Sequence, residues 1–203
     1  SIVIFHPIFF KDKKSFLKEI KIFIKSLVLS NKNYLVIYPN NDYGNDLIIS
    51  NYNKILKKNK KFTIIKSFRF EYFLTLLKNS EFIIGNSSAG VREAPIYGIS
   101  TINIGNRQKN RFLHESITNV DFNEKEIIQA INNSYIKKFR FSKHFGKGNS
   151  SKLIYDILRK NKVWKITKQK QMVILWQLMK KNNKLKSIYR FPKEIFFCSK
   201  WAI

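Results

Sequence analysis

Five short, mostly apolar runs constrain this chain more than any other feature: residues 2–5, 34–38, 62–66, 81–85 and 101–105. Each is too short for a helix and ends at a glycine, a proline or a polar turn. The segments between them follow a different period. Over 13–29, apolar residues fall at Phe16, Ile20, Ile22, Phe23, Leu27 and Leu29, with lysines on the opposite face. That is helical spacing. Residues 45–58, 71–79 and 88–97 are predicted helices between the later runs, and 124–134 and 150–161 are predicted to follow them. The runs are apolar on both faces rather than alternating, as in a parallel sheet covered by helices on both sides. The predicted fold is α/β, a doubly wound parallel sheet of Rossmann-like type. Ligands in such sheets bind at the carboxyl ends of the strands.

Length and composition set outer limits. The 203 residues suit one domain, or one domain with an appendage, and 44% hydrophobic content is enough for a full core. A single cysteine, Cys198, excludes an internal disulfide, so a reducing, cytoplasmic setting is expected. The opening apolar run is too short for a signal peptide, and no stretch reaches the roughly 18 apolar residues that span a bilayer. The formal charge of +26 points toward nucleic acid only until it is mapped. Residues 1–134 hold 20 Lys/Arg against 11 Asp/Glu, or +9, whereas 135–203 hold 19 against 2, or +17. The excess sits in the tail. The chain is also rich in Lys, Ile, Asn and Phe together, as an AT-rich coding bias produces. The expectation is therefore no nucleic-acid and no membrane partner.

The segment Gly85-Asn86-Ser87-Ser88-Ala89-Gly90-Val91-Arg92-Glu93-Ala94 carries the clearest chemistry. It reads as strand, small polar turn, helix. Small residues let a ligand approach the backbone, and free amides at a helix start face an anion. Ser87 and Ser88 add hydroxyl donors. A diphosphate fits such a turn. The helix dipole contributes only about 0.3–1 kcal/mol, so hydrogen bonds must carry most of the affinity. The plain alternative is a serine N-cap. Glu93 can cap amides or accept from a ribose diol. Arg92 faces elsewhere and reads as structural.

Three further motifs also follow strand ends. Arg107, in Gly105-Asn106-Arg107-Gln108, suits a phosphate, or is simply a solvated loop arginine. His6-Pro7 points a histidine toward the same crevice, although a lone histidine is more often structural. Asn40, in Tyr38-Pro39-Asn40-Asn41-Asp42-Tyr43-Gly44, can bind substrate or make an Asx turn.

Taken together, His6-Pro7, Pro39-Asn40-x-Asp42-x-Gly44, GNSSAGVRE and IGNRQ resemble the carboxyl-terminal domain of hydrolysing UDP-N-acetylglucosamine 2-epimerases of the sialic-acid and legionaminic-acid type. The resemblance runs from about residue 2 to about residue 170. It implies the carboxyl-terminal half of a two-domain glycosyltransferase-B architecture. It also implies a reaction that turns UDP-GlcNAc into N-acetylmannosamine and UDP, through elimination of UDP and addition of water. Ser87 and Ser88 would hold the diphosphate and Glu93 the ribose. Arg107 and His6 would line the phosphate side, with His6 the residue assigned to catalysis. Asn40 and Asp42 match a further ligand-binding stretch, and Ser67 and Phe68 match the place where uracil is held. No metal or cofactor is implied. The partners implied are UDP-GlcNAc or a related UDP-sugar, an amino-terminal domain that this chain lacks, and further copies in a homo-oligomer.

The chain departs from the family in two ways. Ile8-Phe9-Phe10 stands where hydroxyl residues usually follow the His-Pro pair. The half that carries the proton-transfer groups is absent, so the expectation is UDP binding with negligible turnover by the chain alone. The abrupt start at Ser1 suggests a split or broken gene. Residues 1–171 are expected to form the UDP-binding domain and 172–203 an unassigned basic tail. That tail reads first as a read-through or frameshifted end, then as a natural appendage, then as a basic patch for membrane or RNA. The alternatives for the whole chain are a non-catalytic UDP-sugar module or pseudoenzyme fragment, and a basic nucleic-acid or membrane binder.

Overall fold

A computed structural model describes residues 1–8, 12–134 and 139–165. Phe9, Phe10 and the whole 172–203 tail lie outside the described residues, so the expectations placed on them do too. Contacts divide the chain into Ser1–Gly148 and Asn149–Ile203.

The first unit is built on six parallel strands: β1 Ile2–Ile4, β2 Tyr34–Ile37, β3 Phe62–Ile65, β4 Phe82–Gly85, β5 Ser100–Ile104 and β6 Ile117–Val120. Their order is β3-β2-β1-β4-β5-β6. Every pairing is parallel, and Ile4 sits opposite both Ile37 and Gly85. The chain winds outward from β1 through β2 to β3, then returns to place β4 on the other side of β1. The winding direction therefore reverses between β1 and β4. A reversal of this kind opens a crevice at the carboxyl ends of the two strands.

The helices cover both faces. Helix α1, Lys13–Leu29, is started by Asp12, whose carboxylate accepts from Ser15 N–H at 2.9 Å. It buries Phe16, Ile20, Phe23, Ile24 and Leu27 against Val3, Phe5, Val36 and Ile84. Each such side chain contributes about 1.5–3 kcal/mol by leaving water. The stripe departs from the expected one at its end, because Leu29 is exposed. Helix α5, Glu124–Ser134, lies on the same face and is tied to α1 by a 2.8 Å ion pair from Lys25 to Glu124. On the other face, α3 (Phe70–Lys78) packs Phe73 and Leu77 against Ile2, Ile4 and Ile83.

Two expected helices are interrupted. The segment 45–58 is α-helical only as α2, Asn45–Asn51, and continues as a π turn over Tyr52–Leu56. Ile48, Tyr52 and Leu56 are all fully buried. A spacing of four drifts off line at 3.6 residues per turn, and one wider turn brings it back. The segment 88–97 splits into α4, Ala89–Arg92, and a 3-10 turn, Ala94–Tyr97. Pro95 explains the break: it has no N–H to donate, and its ring disfavours α geometry at the residue before it. Strand β6 was not expected at all. It is an edge strand with Thr118 and Asn119 exposed, so it has no apolar run to find.

In the second unit, 150–161 forms α6, Ser150–Leu158, followed by the short α7, Asn161–Trp164. Trp164 donates its indole N–H to Leu158 O at 2.8 Å. Among the described residues, no helix is long and apolar enough to cross a membrane.

Candidate functional site

The crevice at the winding reversal is an open pocket of about 430 Å³. It is lined from β1 by His6, from β2 by Tyr38 and Asn40, from β3 by Ser67 and Phe68, and from β4 and α4 by Ser87, Ser88 and Glu93. Seven of the nine residues singled out from the sequence thus face one space. Asp42 and Arg107 do not line it.

Local geometry at the β4 end begins with Gly85. Its φ is +138°, and a Cβ there would lie 1.9 Å from Ile4 O. Only glycine lets β4 pass this close to β1. Asn86 follows, fully buried. After it the chain turns out of the sheet. Among the described residues, the N–H groups of Ser87 and Ser88 have no hydrogen-bond partner, and Ser87 Oγ accepts only from Ala89 N–H at 3.3 Å. Two adjacent open amides with two hydroxyls form an anion-sized set of donors. The helix behind them is four residues long, so its dipole adds little. An anion at this turn would be held by the amides and hydroxyls themselves.

Behind the turn, Gly90 packs on β5, where Thr101 donates its hydroxyl to Gly90 O at 2.6 Å. Glu93 is half-buried at the cavity wall. Loss of water raises its carboxyl above the ordinary value, while Arg92 and a backbone hydrogen bond oppose the rise.

One neighbour selects the tautomer of the neutral His6 ring. Asn40 N–H donates to its Nδ1 at 3.2 Å. The neutral ring must then carry its proton on Nε2. Burial lowers the pKa of His6, and the charge of Arg107 lowers it further. The side chain of Asn40 and the charge of Asp42 oppose this. Asp42 is exposed and accepts from Asn40 Nδ2 at 2.7 Å, so it shapes the loop under Asn40. Arg107 points its Nη1 at Asn86 O, 3.0 Å away, and its own pKa is lowered by burial. It ties the segment after β5 to the turn that follows β4.

The far wall is aromatic. Phe68, Phe70 and Phe73 line it, with Tyr38 and the aliphatic Ile4 and Ile37. Phe70 and Phe73 stack at 6.4 Å between centroids. Reading the sequence missed Phe70, Phe73, Lys66 and Tyr38 as lining residues, and gave no role to Asn86 or Gln108. Strand-end position was a usable signal for Tyr38 and Lys66. Nothing local marked the others.

The doubly wound sheet with its crevice defines a Rossmann-like domain of the kind found in glycosyltransferase-B enzymes. Solved structures share it. A UDP-GlcNAc 2-epimerase from Methanocaldococcus jannaschii in complex with UDP-GlcNAc and UDP matches with a TM-score of 0.60 at 21% identity, over 77% of this chain and 44% of that one. The Neisseria meningitidis UDP-GlcNAc 2-epimerase bound to UDP-GlcNAc matches with a TM-score of 0.60 at 18% identity, over 77% of this chain and 44% of that one. By sequence, the family described as UDP-N-acetylglucosamine 2-epimerase matches residues 1–159. The chain belongs to the UDP-N-acetylglucosamine 2-epimerase family.

Among curated relatives, a UDP-N-acetylglucosamine 2-epimerase of Neisseria meningitidis serogroup B is 39% identical over 75% of this chain and 41% of its own length. A UDP-N,N'-diacetylbacillosamine 2-epimerase (hydrolyzing) of Legionella pneumophila is 26% identical over 78% of this chain and 42% of its own. The chain thus spans about two-fifths of the length of these relatives.

Proposed function

We propose that this chain is the UDP-sugar-binding, carboxyl-terminal half of a hydrolysing UDP-N-acetylglucosamine 2-epimerase. Joined by an amino-terminal half, it would form N-acetylmannosamine and UDP. The observation that carries the reading is the single cavity that collects His6, Asn40, Ser67, Phe68, Ser87, Ser88 and Glu93. In this reading the open amides and hydroxyls of Ser87 and Ser88 take the diphosphate. Glu93 takes the ribose diol, set away from the phosphate charge. Ser67 and Phe68 meet the base against the aromatic wall. His6 donates through Nε2–H toward the leaving diphosphate, and Arg107 adds positive potential from behind. Asn40 and Asp42 form the loop over the sugar side.

The chemistry also calls for a second half. Eliminating UDP requires a base at C2 of the sugar and an acid for the leaving group. Among the described residues that line the cavity, Glu93 is the only carboxylate, and its place in this reading is at the ribose. The base at C2 then comes from the other half, while His6 stays at the leaving group. A hydrolysing relative at 26% identity supports the hydrolytic branch. The same reading keeps residues 1–171 as the binding domain, with 172–203 as a separate tail. It carries a cytoplasmic setting, and assembly into a homo-oligomer once the halves are together.

Titration calorimetry of the full chain with UDP tests this. Binding is expected, with a loss of roughly tenfold or more on combined Ser87→Ala and Ser88→Ala, since the hydroxyls bond a charged ligand. No heat with UDP sinks the reading. A second reading, a non-catalytic UDP-sugar module, is favoured by the same lack of a second carboxylate. UDP binding with no UDP release from UDP-GlcNAc, even after an amino-terminal half is supplied, would select it.

A further inference from the structure

Every hydrogen-bonding group of Asn86 is used, and the partners come from the ends of two other strands, β1 and β5. Its N–H donates to Ile4 O at 3.2 Å, which is one more rung of the β1–β4 ladder. Its side-chain Oδ1 then accepts from His6 N–H at 2.7 Å, and its Nδ2 donates to His6 O at 2.9 Å. Its own carbonyl accepts from Arg107 Nη1 at 3.0 Å and from Gln108 Nε2 at 3.2 Å. The amide orientation is not ambiguous, because a backbone N–H can face only the oxygen and a carbonyl only the nitrogen.

We infer that Asn86 is a positioning residue for the nucleotide-sugar site, its side-chain amide standing in for a missing peptide of β4. The main chain of β4 must leave the sheet after Gly85 so that Ser87 and Ser88 can open their amides to the cavity. β1 would then end with His6 unpaired at both backbone groups. The Asn86 amide supplies one acceptor and one donor at peptide spacing and holds His6 in register. Its carbonyl draws Arg107 and Gln108 up behind the same turn. One buried residue thereby couples the imidazole, the open serine amides and the guanidinium. Asp offers only acceptors when ionised, Leu offers neither group, and Gln is one methylene too long. The inference rests on the UDP reading of this pocket and deepens it.

Asn86→Asp keeps the shape and one bond, and turns the bond to His6 O into a repulsion. Full-length wild type, Asn86→Asp and the distant core variant Ile131→Val are compared by UDP calorimetry, thermal melting and ¹⁵N NMR of the His6 ring. The expected result is a UDP affinity lower by roughly tenfold or more for Asn86→Asp. The Nδ1/Nε2 signature of His6 should change with it, while Ile131→Val loses melting temperature but keeps wild-type affinity. Asn86→Asp with lower melting temperature but affinity within about twofold of wild type makes the residue structural only and overturns the inference. Should Asn86→Asp fail to fold, amide exchange in the wild type decides. Saturating UDP must slow exchange of the His6 backbone N–H and the Asn86 side-chain amide more than that of the rest of β1, and equal slowing overturns the inference. Wild type that binds no UDP removes the pocket reading itself, and this inference with it.

Discussion

The cavity has two walls built in different ways. At the β1–β4 seam, Asn86 and Gln108 are buried, and the bonds that hold them link residues 80 and 22 positions apart. At the β2–β3 rim, Asn40, Asp42 and Ser67 are exposed, and the bonds are local: Asn40 Nδ2 to Asp42 at 2.7 Å and Asn45 Nδ2 to Asn40 O at 3.2 Å. One tie crosses between them, from Asn40 N–H to His6 Nδ1 at 3.2 Å. The seam is set by the fold before any ligand arrives. The rim is set by short loops that can move at little cost. A site divided this way fixes the group with most charge to organise and lets the softer end adapt. Substitutions should follow the same division, with folding lost at the seam and only binding altered at the rim.

The strongest attempt to break this contrast is Gly85→Ala. The new Cβ would sit 1.9 Å from Ile4 O at a φ of +138°. Neither strand can yield without giving up the β1–β4 ladder. The expected loss is more than about 3 kcal/mol, read by urea or thermal unfolding of the full chain. A variant that melts within about 3 °C of wild type would show that the seam is adjustable after all.

Glu93 tests the boundary between the walls. Its carboxyl is raised above the ordinary range, first by burial, with Arg92 opposing. A raised folded pKa means the folded chain holds this proton more tightly than the unfolded one. Stability therefore falls as pH rises from the unfolded value through the folded value, and the ionised group is a burden at neutral pH. Glu93→Gln is expected to melt at or above wild type at pH 7 without ligand. That advantage should vanish below about pH 4, where both forms are uncharged. Saturating UDP should reverse the order at pH 7, because only the carboxylate accepts strongly from a diol. Melting curves from about pH 3 to about pH 8, with and without UDP, decide it. A ligand-free variant less stable than wild type at pH 7 would make Glu93 part of the seam's support.

The sequence showed the residues that line the cavity better than the buried bonds that hold them, for a physical reason. Parallel strands that are apolar throughout leave polar residues only at their ends. His6, Asn40, Ser67 and Ser87 therefore announced themselves, and the winding order brought them together. Five of the six strands were visible for the same reason. Strand β6 was not, because an edge strand with Thr118 and Asn119 in solvent needs no apolar run. The break in 88–97 was written in Pro95 but masked by the helical spacing on either side. The role of Asn86 was beyond reach, since its meaning lies in His6, which no local pattern connects to it. Arg107 was seen as a phosphate ligand because it follows a strand. That it turns back to Asn86 O depends on a buried carbonyl no sequence reveals.

The smallest effect belongs to Asp42→Asn, at the outer edge of the rim. The side chain is exposed, and an Asn there can still accept from Asn40 through its amide oxygen. Stability should change by no more than about 0.5 kcal/mol. What changes is charge. Asp42 now opposes the lowering of His6 by burial and by Arg107, so its removal should push the His6 pKa further down. The sign follows from linkage: a lowered histidine contributes stability that is complete above its unfolded pKa and is lost as pH falls through the folded one. In Asp42→Asn that loss should extend to lower pH than in wild type, and an NMR titration of the imidazole should show the same displacement. Raising salt should shrink the difference, because Asp42 is exposed and its field is screened. A stability loss above about 1 kcal/mol, or a His6 titration that does not move, would place Asp42 with the seam and end the two-wall contrast at its weakest point.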